Sequence, residues 1–213
     1  MTIRARLIAA IVLTVLLPVV TIGVALSAFG TLGDRFDDVQ RASAGERVAL
    51  DLKFAVTDMN GWQTAYGYDG GRSRPRFEAA AAETEALLAR ARRLSPGPDE
   101  RGPLLELDQS FRRFMALDAD AWQALQDGRE GETKRILLGP ELELFGRMAR
   151  LADDLADAQQ RVAVVAESEF DEARDTARKE LVAVAIGAGV VIVLLLLTVQ
   201  DVVRLALERR DPA

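Results

Sequence analysis

The chain has 213 residues, of which 49% are hydrophobic, and its formal net charge is −6 at pH 7. It contains no cysteine and no histidine, which excludes disulfides, thiolate or imidazole metal sites and histidine-based catalysis. The negative charge argues against nucleic acid as a partner. We therefore expect no catalytic residues, no cofactor and no bound metal.

The first element is an uncharged stretch over residues 7–33. A bilayer takes about 20 apolar residues, so residues 7–28 predict a transmembrane helix that follows a cytoplasmic N-terminus at residues 1–6. A cleaved signal peptide is the alternative, because Arg4 and Arg6 resemble its basic region. The apolar run is longer than the ~7–15 residues of a typical signal peptide, which favours the membrane span.

Pro18 lies inside this span and predicts a kink. A membrane helix tolerates such a kink when a neighbouring helix satisfies the freed carbonyl. We therefore expect the first span to pack against a second one.

Residues 29–180 have helical periodicity throughout and predict four helices. The first continues from the span and ends at glycines within residues 67–71, which permit the left-handed backbone of a turn. Its inward residues recur at the spacing of a helical seam: Phe29, Leu32, Phe36, Val39, Val48, Leu52, Ala55, Met59, Trp62 and Tyr66.

The end of this helix holds Trp62 and both tyrosines of a chain otherwise poor in aromatics. On a helical wheel, Trp62 and Tyr66 lie on the inward stripe, with Asp58 along one edge and Gln63 on the other. Aromatic faces flanked by a carboxylate and an amide can hold a small polar ligand. The alternative is that both rings are packing anchors of the core.

Gly61 lies inside the same helix, where glycine costs about 1 kcal/mol relative to alanine. This cost suggests a close approach or a local distortion at that position.

The second helix should begin with Pro75 in its first position and run to about Leu94. Its inward residues are Phe77, Ala81, Thr84, Leu88 and Ala91. Residues 95–103 then break it, and the third helix runs from about Leu104 to Gln126. Its inward residues are Leu104, Leu107, Phe111, Phe114, Ala121, Trp122 and Leu125.

After a short segment, Gly139 and Pro140 followed by acidic residues predict the start of the fourth helix. If this helix runs antiparallel to the first, with residue 30 opposite residue 180, then Trp62 lies level with Met148. Arg147 and Arg150 then come within reach of the aromatic stretch. Either arginine is a candidate for binding a ligand carboxylate, or for pairing with Asp58.

No proline interrupts the fourth helix before Pro212, so it can run unbroken into a second apolar stretch at residues 181–200, our second transmembrane helix. Arg204, Arg209 and Arg210 follow this span. Together with the basic N-terminus, they predict that both termini are cytoplasmic, with residues 201–213 as a short tail. The protein should then cross the plasma membrane twice, with residues 29–180 outside the cytoplasm.

The first and fourth helices are longer than the second and third, so the shorter pair can cover only their membrane-distal half. The remaining half should be a two-helix stalk with an apolar seam at Phe29, Leu32, Phe36 and Val39. A second subunit can cover this seam, which predicts a parallel homodimer. The expected fold is therefore an all-α, membrane-anchored antiparallel four-helix bundle with two transmembrane helices.

This organisation resembles the four-helix-bundle sensor domain of methyl-accepting chemotaxis receptors and related bacterial membrane sensors. The stretches "DMNGWQTAYGYD" at residues 58–69 and "LGPELELFGRM" at residues 138–148 are similar to what such domains carry at these places. The resemblance implies a small-molecule site at the distal end of the bundle. It also implies that binding is transmitted through the fourth helix into the second span.

In that family a HAMP linker and a methylated signalling coiled coil follow the second span, whereas residues 201–213 match neither. Three expectations follow. The chain is a sensory protein, or a structural or regulatory membrane protein that pairs with itself or with full-length receptors and binds no ligand, or the sensor part of a longer receptor. The candidate ligand residues are Asp58, Trp62, Gln63, Tyr66, Arg147 and Arg150.

Overall fold

The computed structural model of the chain describes residues 3–94 and 98–208. Every regular element in these ranges is an α-helix, in the order α1 (Ile3–Tyr68), α2 (Arg74–Leu94), α3 (Pro98–Gln126), α4 (Glu130–Leu137) and α5 (Pro140–Glu208). The all-α prediction is confirmed. Residues 95–97 of the predicted break, and the basic residues at 209 and 210, lie outside the described residues.

Three helix boundaries differ from the sequence prediction. Helix α2 begins at Arg74, so Pro75 is its second residue, and its missing N–H still falls among the first four, which have no partner within a helix. Helix α3 begins at Pro98 rather than near Leu104, and includes Pro103. Pro98 suits a first helical position, which explains the earlier start. The segment before Pro140 forms the short helix α4.

The two long helices keep the continuity that the sequence predicts. Helix α1 runs through Pro18 without interruption, and α5 extends unbroken from Pro140 to Glu208. The turn after α1 uses Gly70 and Gly71, whose φ angles are +70° and +91°. Only glycine adopts such angles at little cost, so the sequence places the end of α1 correctly.

The chain divides into two compact units. We call residues Met1–Asp37 with Ser168–Ala213 the apolar unit, and residues Asp38–Glu167 the core unit. In the apolar unit, the rings of Phe36 and Phe170 lie with their centroids 6.2 Å apart. Next to them, Arg35 and Glu169 form an ion pair at 2.5 Å. Helices α1 and α5 therefore contact each other within this unit.

The core unit buries one main apolar cluster with side chains from α1, α2, α3 and α5. The inward residues predicted for α2 are all buried, as are five of the ten predicted for α1 and five of the seven predicted for α3. Trp62, Trp122 and Leu125 are only partly buried and pack against the edge of the cluster. A smaller cluster joins Ala121 to Ile136 and Leu137 of α4.

One of the two explanations suggested for Gly61 is excluded, and the predicted stalk seam is exposed. Gly61 is exposed, and a Cβ added to it would meet nothing within 4 Å, so no close approach explains this glycine. In the predicted stalk seam, Phe29 is 67% exposed and Phe36 is 49% exposed. Within the described chain, α5 therefore does not cover this seam. This agrees with the prediction that a second subunit is needed to cover it.

The packing of the core unit makes a direct prediction about stability. Phe114 is fully buried, whereas Phe54 is 69% exposed. Phe114→Ala should lower the free energy of unfolding by about 3–5 kcal/mol, because it leaves a cavity. Denaturant unfolding of the full chain in detergent measures this loss. Phe54→Ala is the matched control and should change stability by about 0.5 kcal/mol or less. Similar losses for both variants would contradict the assignment of the core.

Candidate functional site

Five polar side chains from four helices meet inside the core unit. They are Gln63 and Tyr66 of α1, Arg74 of α2, Asp118 of α3 and Glu141 of α5, and we call them the polar cluster. Gln63, Tyr66, Asp118 and Glu141 are each at most 2% exposed. Buried polar groups of this kind are costly unless they satisfy one another, so their arrangement decides what the cluster can do.

The turn between α1 and α2 brings Arg74 back over the end of α1. The side chain of Asp69 accepts hydrogen bonds from the Ser73 hydroxyl at 2.7 Å and from the Ser73 backbone N–H at 3.3 Å. Gly71 lies against the Trp122 ring, where an added Cβ would stand 2.8 Å from the indole. A residue with a side chain at position 71 would therefore have to displace the Trp122 ring, and its backbone φ of +91° would be strained.

Asp118 is the acceptor on which the cluster converges. Its Oδ1 accepts hydrogen bonds from the Tyr66 hydroxyl and, at 3.4 Å, from the Gln63 side-chain amide. Its Oδ2 accepts one from Arg74 Nη1 at 2.7 Å. A buried carboxylate with a guanidinium partner and two further donors is well stabilised. Burial and the neighbouring Asp118 charge also raise the pKa of Tyr66, so this phenol stays protonated.

Arg74 is held by aromatic rings as well as by charge. Its guanidinium lies 5.1 Å from the ring centroid of Tyr66, 4.8 Å from that of Phe77 and 5.0 Å from that of Trp122. Such contacts attract a cation to the faces of the rings. Arg74 Nε also pairs with Glu78 at 3.0 Å, on the exposed side. The side chain of Arg74 is only 14% exposed, so it is a fixed part of the core.

Glu141 is the one acidic group of the cluster with unmet hydrogen-bonding capacity. It lies in the first turn of α5 and is fully buried. Its Oε1 accepts a hydrogen bond from the Gln63 amide, whereas its Oε2 has no hydrogen-bond partner among the described residues. Burial, followed by the negative charge of Asp118, raises the pKa of Glu141 to about 8.

Only two of the six predicted ligand residues, Gln63 and Tyr66, belong to the polar cluster. Gln63 is 2% exposed, so the expectation that it lies at an edge is wrong. Side chains of α3 and α5 cover it, since its amide donates to Asp118 and to Glu141. Trp62 lies beside the cluster, and its indole N–H donates to Asp58 at 3.0 Å. The guanidinium of Arg76 lies 4.6 Å from the Trp62 ring centroid.

The structure does not bring Arg147 and Arg150 to this group. Arg147 pairs with Glu106 of α3, and Arg150 is exposed. The reason is the pairing of α1 with α5: Gln63 meets Glu141, and Lys53 meets Asp153 at 2.8 Å. Trp62 is therefore level with the first turn of α5, about five residues before the position that the sequence argument assumed.

Sequence reasoning missed Arg74, Asp118 and Glu141. The burial of Asp118 could have been predicted from the sequence, because it lies four residues after Phe114 and three before Ala121 on the inward stripe of α3. An acid at such a position predicts a buried partner of opposite charge. Arg74 and Glu141 occupy first turns of helices, where charged residues are ordinary, so no local pattern distinguishes them.

The cluster offers hydrogen-bond donors, one cation and two carboxyl groups. Among the described residues, no three acidic side chains are grouped closely enough to hold a metal ion. Comparison with known proteins adds no family: no family model matches the chain, and no curated protein sequence is significantly similar to it. What the site does must therefore be inferred from its own chemistry.

The central position of Asp118 is testable. Asp118→Ala leaves the guanidinium of Arg74 without its buried partner, and breaking a buried pair in this way costs about 3–5 kcal/mol. The free energy of unfolding of the full chain, measured with denaturant in detergent, should fall by that amount. The control is Asp120→Ala, two residues along α3 and exposed. A loss no larger than that of the control would refute a structural role for Asp118.

Proposed function

We propose that the chain is a two-pass membrane protein of the plasma membrane, whose residues 29–180 form an extracytoplasmic four-helix bundle with a sensory role. The observation that carries this proposal is the contrast between its two kinds of helical surface. The core unit buries a large cluster of apolar side chains, whereas the two windows of the described chain that are apolar enough to cross a membrane are only 6% and 0% buried. Large exposed apolar surfaces of that kind are typical of contact with a membrane or with a partner protein, and their length favours the membrane.

The two apolar windows suit a bilayer in length and composition. One lies within residues 11–68 with a mean hydropathy of 2.5, and the other lies within residues 130–201 with a mean hydropathy of 3.0. Their large side chains point outward, as in Val15 at 60%, Val19 at 61% and Leu196 at 64% exposure. A core helix of a water-soluble protein would bury such residues, which supports the membrane assignment.

The bundle is supported by the main core cluster, to which α1, α2, α3 and α5 all contribute. Helices α1 and α5 run antiparallel, as the Gln63–Glu141 and Lys53–Asp153 pairs require. The resemblance of the sequence to the sensor domains of chemotaxis receptors rests on this helical organisation. Because α5 carries both core residues and the second apolar segment, we propose that binding shifts α5 and so the second span.

A homodimer is part of this proposal. The seam residues Phe29 and Phe36 remain 67% and 49% exposed in the single chain. The matching seam of a second copy, aligned in parallel, would cover them. A full-length receptor with a similar seam is the other partner that this surface suits.

The second candidate function is a structural or regulatory membrane protein without a ligand. The polar cluster favours it, because Gln63 and Tyr66 are buried and bonded to Asp118 rather than open to solvent. A ligand site would then be confined to the edge formed by Trp62, Asp58 and Arg76.

The proposed topology is tested by thiol labelling in intact bacterial cells. The chain has no native cysteine, so Ser43→Cys and Asp211→Cys each introduce a single thiol. A membrane-impermeant maleimide should label position 43 and leave position 211 unlabelled until the cells are permeabilised. The reverse pattern would show that the orientation is wrong.

The sensory role is tested by thermal unfolding of the full chain in detergent with amino acids and dicarboxylates as probes. A ligand present at 100 times its dissociation constant should stabilise the protein by about 2.7 kcal/mol. For the amino acids, Asp58→Asn should remove this stabilisation, because it takes away the carboxylate at the exposed edge that would pair with their ammonium group.

The matched control is Asp51→Asn, seven residues earlier on the same side of α1 and also exposed. It should keep the ligand-induced rise in melting temperature. If Asp58→Asn keeps the full rise as well, the ligand binds elsewhere. If no probe raises the melting temperature, the structural or regulatory role is favoured.

A further inference from the structure

The polar cluster contains two buried carboxyl groups and one partly buried cation. The charged or titratable side chains that face Glu141 are Tyr66 of α1, Arg74 of α2 and Asp118 of α3. On α4, Lys134 pairs with Glu130 at 3.6 Å on the surface and does not supply a second cation. Arg74 is thus the one positive charge for both acids among the described residues.

The two carboxyl groups differ in the number and charge of their hydrogen-bond donors. Asp118 accepts three hydrogen bonds, one of them from the guanidinium of Arg74. Glu141 accepts one hydrogen bond, from a neutral amide, and its Oε2 has no partner among the described residues. A buried ionised carboxylate with so few donors is strongly unfavourable. A proton on Glu141 makes the cluster neutral, because Arg74 then balances Asp118.

We propose that Glu141 is a proton-binding site, and that gain and loss of this proton switch the polar cluster between a closed and a loosened state. The closed state has a neutral Glu141 and the hydrogen bonds described above. In the loosened state the ionised Glu141 is repelled by Asp118 and draws water to its unpartnered oxygen. The switch involves only residues of the core unit, so it stands independently of the membrane topology and of any ligand.

The direction of the pH effect follows from the raised pKa of Glu141. Its ordinary value of 4.5 applies to the unfolded chain, and burial raises it to about 8 in the folded chain. Between these values the folded protein binds one proton more than the unfolded protein, so stability falls as pH rises. The stabilising contribution is complete below about pH 4.5 and is lost by the time the pH has passed about 8.

The position of Glu141 gives the switch a mechanical consequence. It lies in the first turn of α5, and Gln63 ties it to α1. Loss of the proton therefore weakens the contact of the start of α5 with α1 and α3. A change in pH near neutrality is thereby converted into a change in how α5 is held.

Denaturant unfolding of the full chain in detergent between pH 6 and pH 8 tests the proposal. Relative to Glu141→Gln, which mimics the neutral acid, the unfolding equilibrium constant of the unmodified protein should rise on the order of 50-fold across this range. The matched control is Glu143→Gln, two residues along α5 and exposed, which should retain the pH dependence. An unchanged pH dependence in Glu141→Gln would overturn the proposal.

Fluorescence provides a readout that does not depend on unfolding. Trp62→Phe leaves Trp122 as the only tryptophan, and its ring contacts both Tyr66 and Arg74. Its emission should change with a midpoint near pH 8, and Glu141→Gln in this background should abolish the transition. The raised pKa of Tyr66 keeps its ionisation out of this window. The absence of a transition between pH 6 and pH 9 would refute the switch.

A final arm distinguishes a proton from an alkali cation. At pH 9, replacing sodium by choline should leave the Trp122 emission unchanged if the proton is the ligand. If sodium restores the emission seen at pH 6, and does so only when Glu141 is present, the site binds a cation and the proton assignment is wrong.

Discussion

The ion pair between Arg74 and Asp118 sets the constraint on which the rest of the core unit depends. Asp118 is 1% exposed, and a charge buried so deeply must be paired and hydrogen-bonded. Its partners come from α1 and α2, and Gln63 extends the same network to Glu141 of α5. Apolar contacts tolerate some sliding of one helix along another. This network does not tolerate such sliding, because a shift by one turn would leave the buried Asp118 without its charged partner.

Several features of the fold that depend on local sequence were predicted correctly. The inward residues of α2, such as Phe77 and Leu88, follow directly from helical spacing, and all are buried. The turn at Gly70 and Gly71 follows from their left-handed backbone. These features are local, so one sequence suffices to predict them.

The candidate site was harder to predict, because it depends on which residues of different helices meet. The pairing of α1 with α5 that the sequence argument assumes differs from the pairing in the structure by about five residues along α5. It placed Arg147 and Arg150 beside Trp62, where the structure has the first turn of α5. The polar partners of Gln63 and Tyr66 are Asp118 and Glu141, which no local pattern connects to them. A long-range register of this kind is decided by the packing of all four helices together.

The central claim is that Asp118 holds α1, α2 and α5 together at one level of the core unit. Hydrogen–deuterium exchange of the full chain in detergent, compared between the unmodified protein and Asp118→Asn, tests it directly. The account predicts faster exchange in Asp118→Asn at three separate places, around residues 59–68 of α1, 74–80 of α2 and 140–150 of α5. Faster exchange confined to α3 would contradict it.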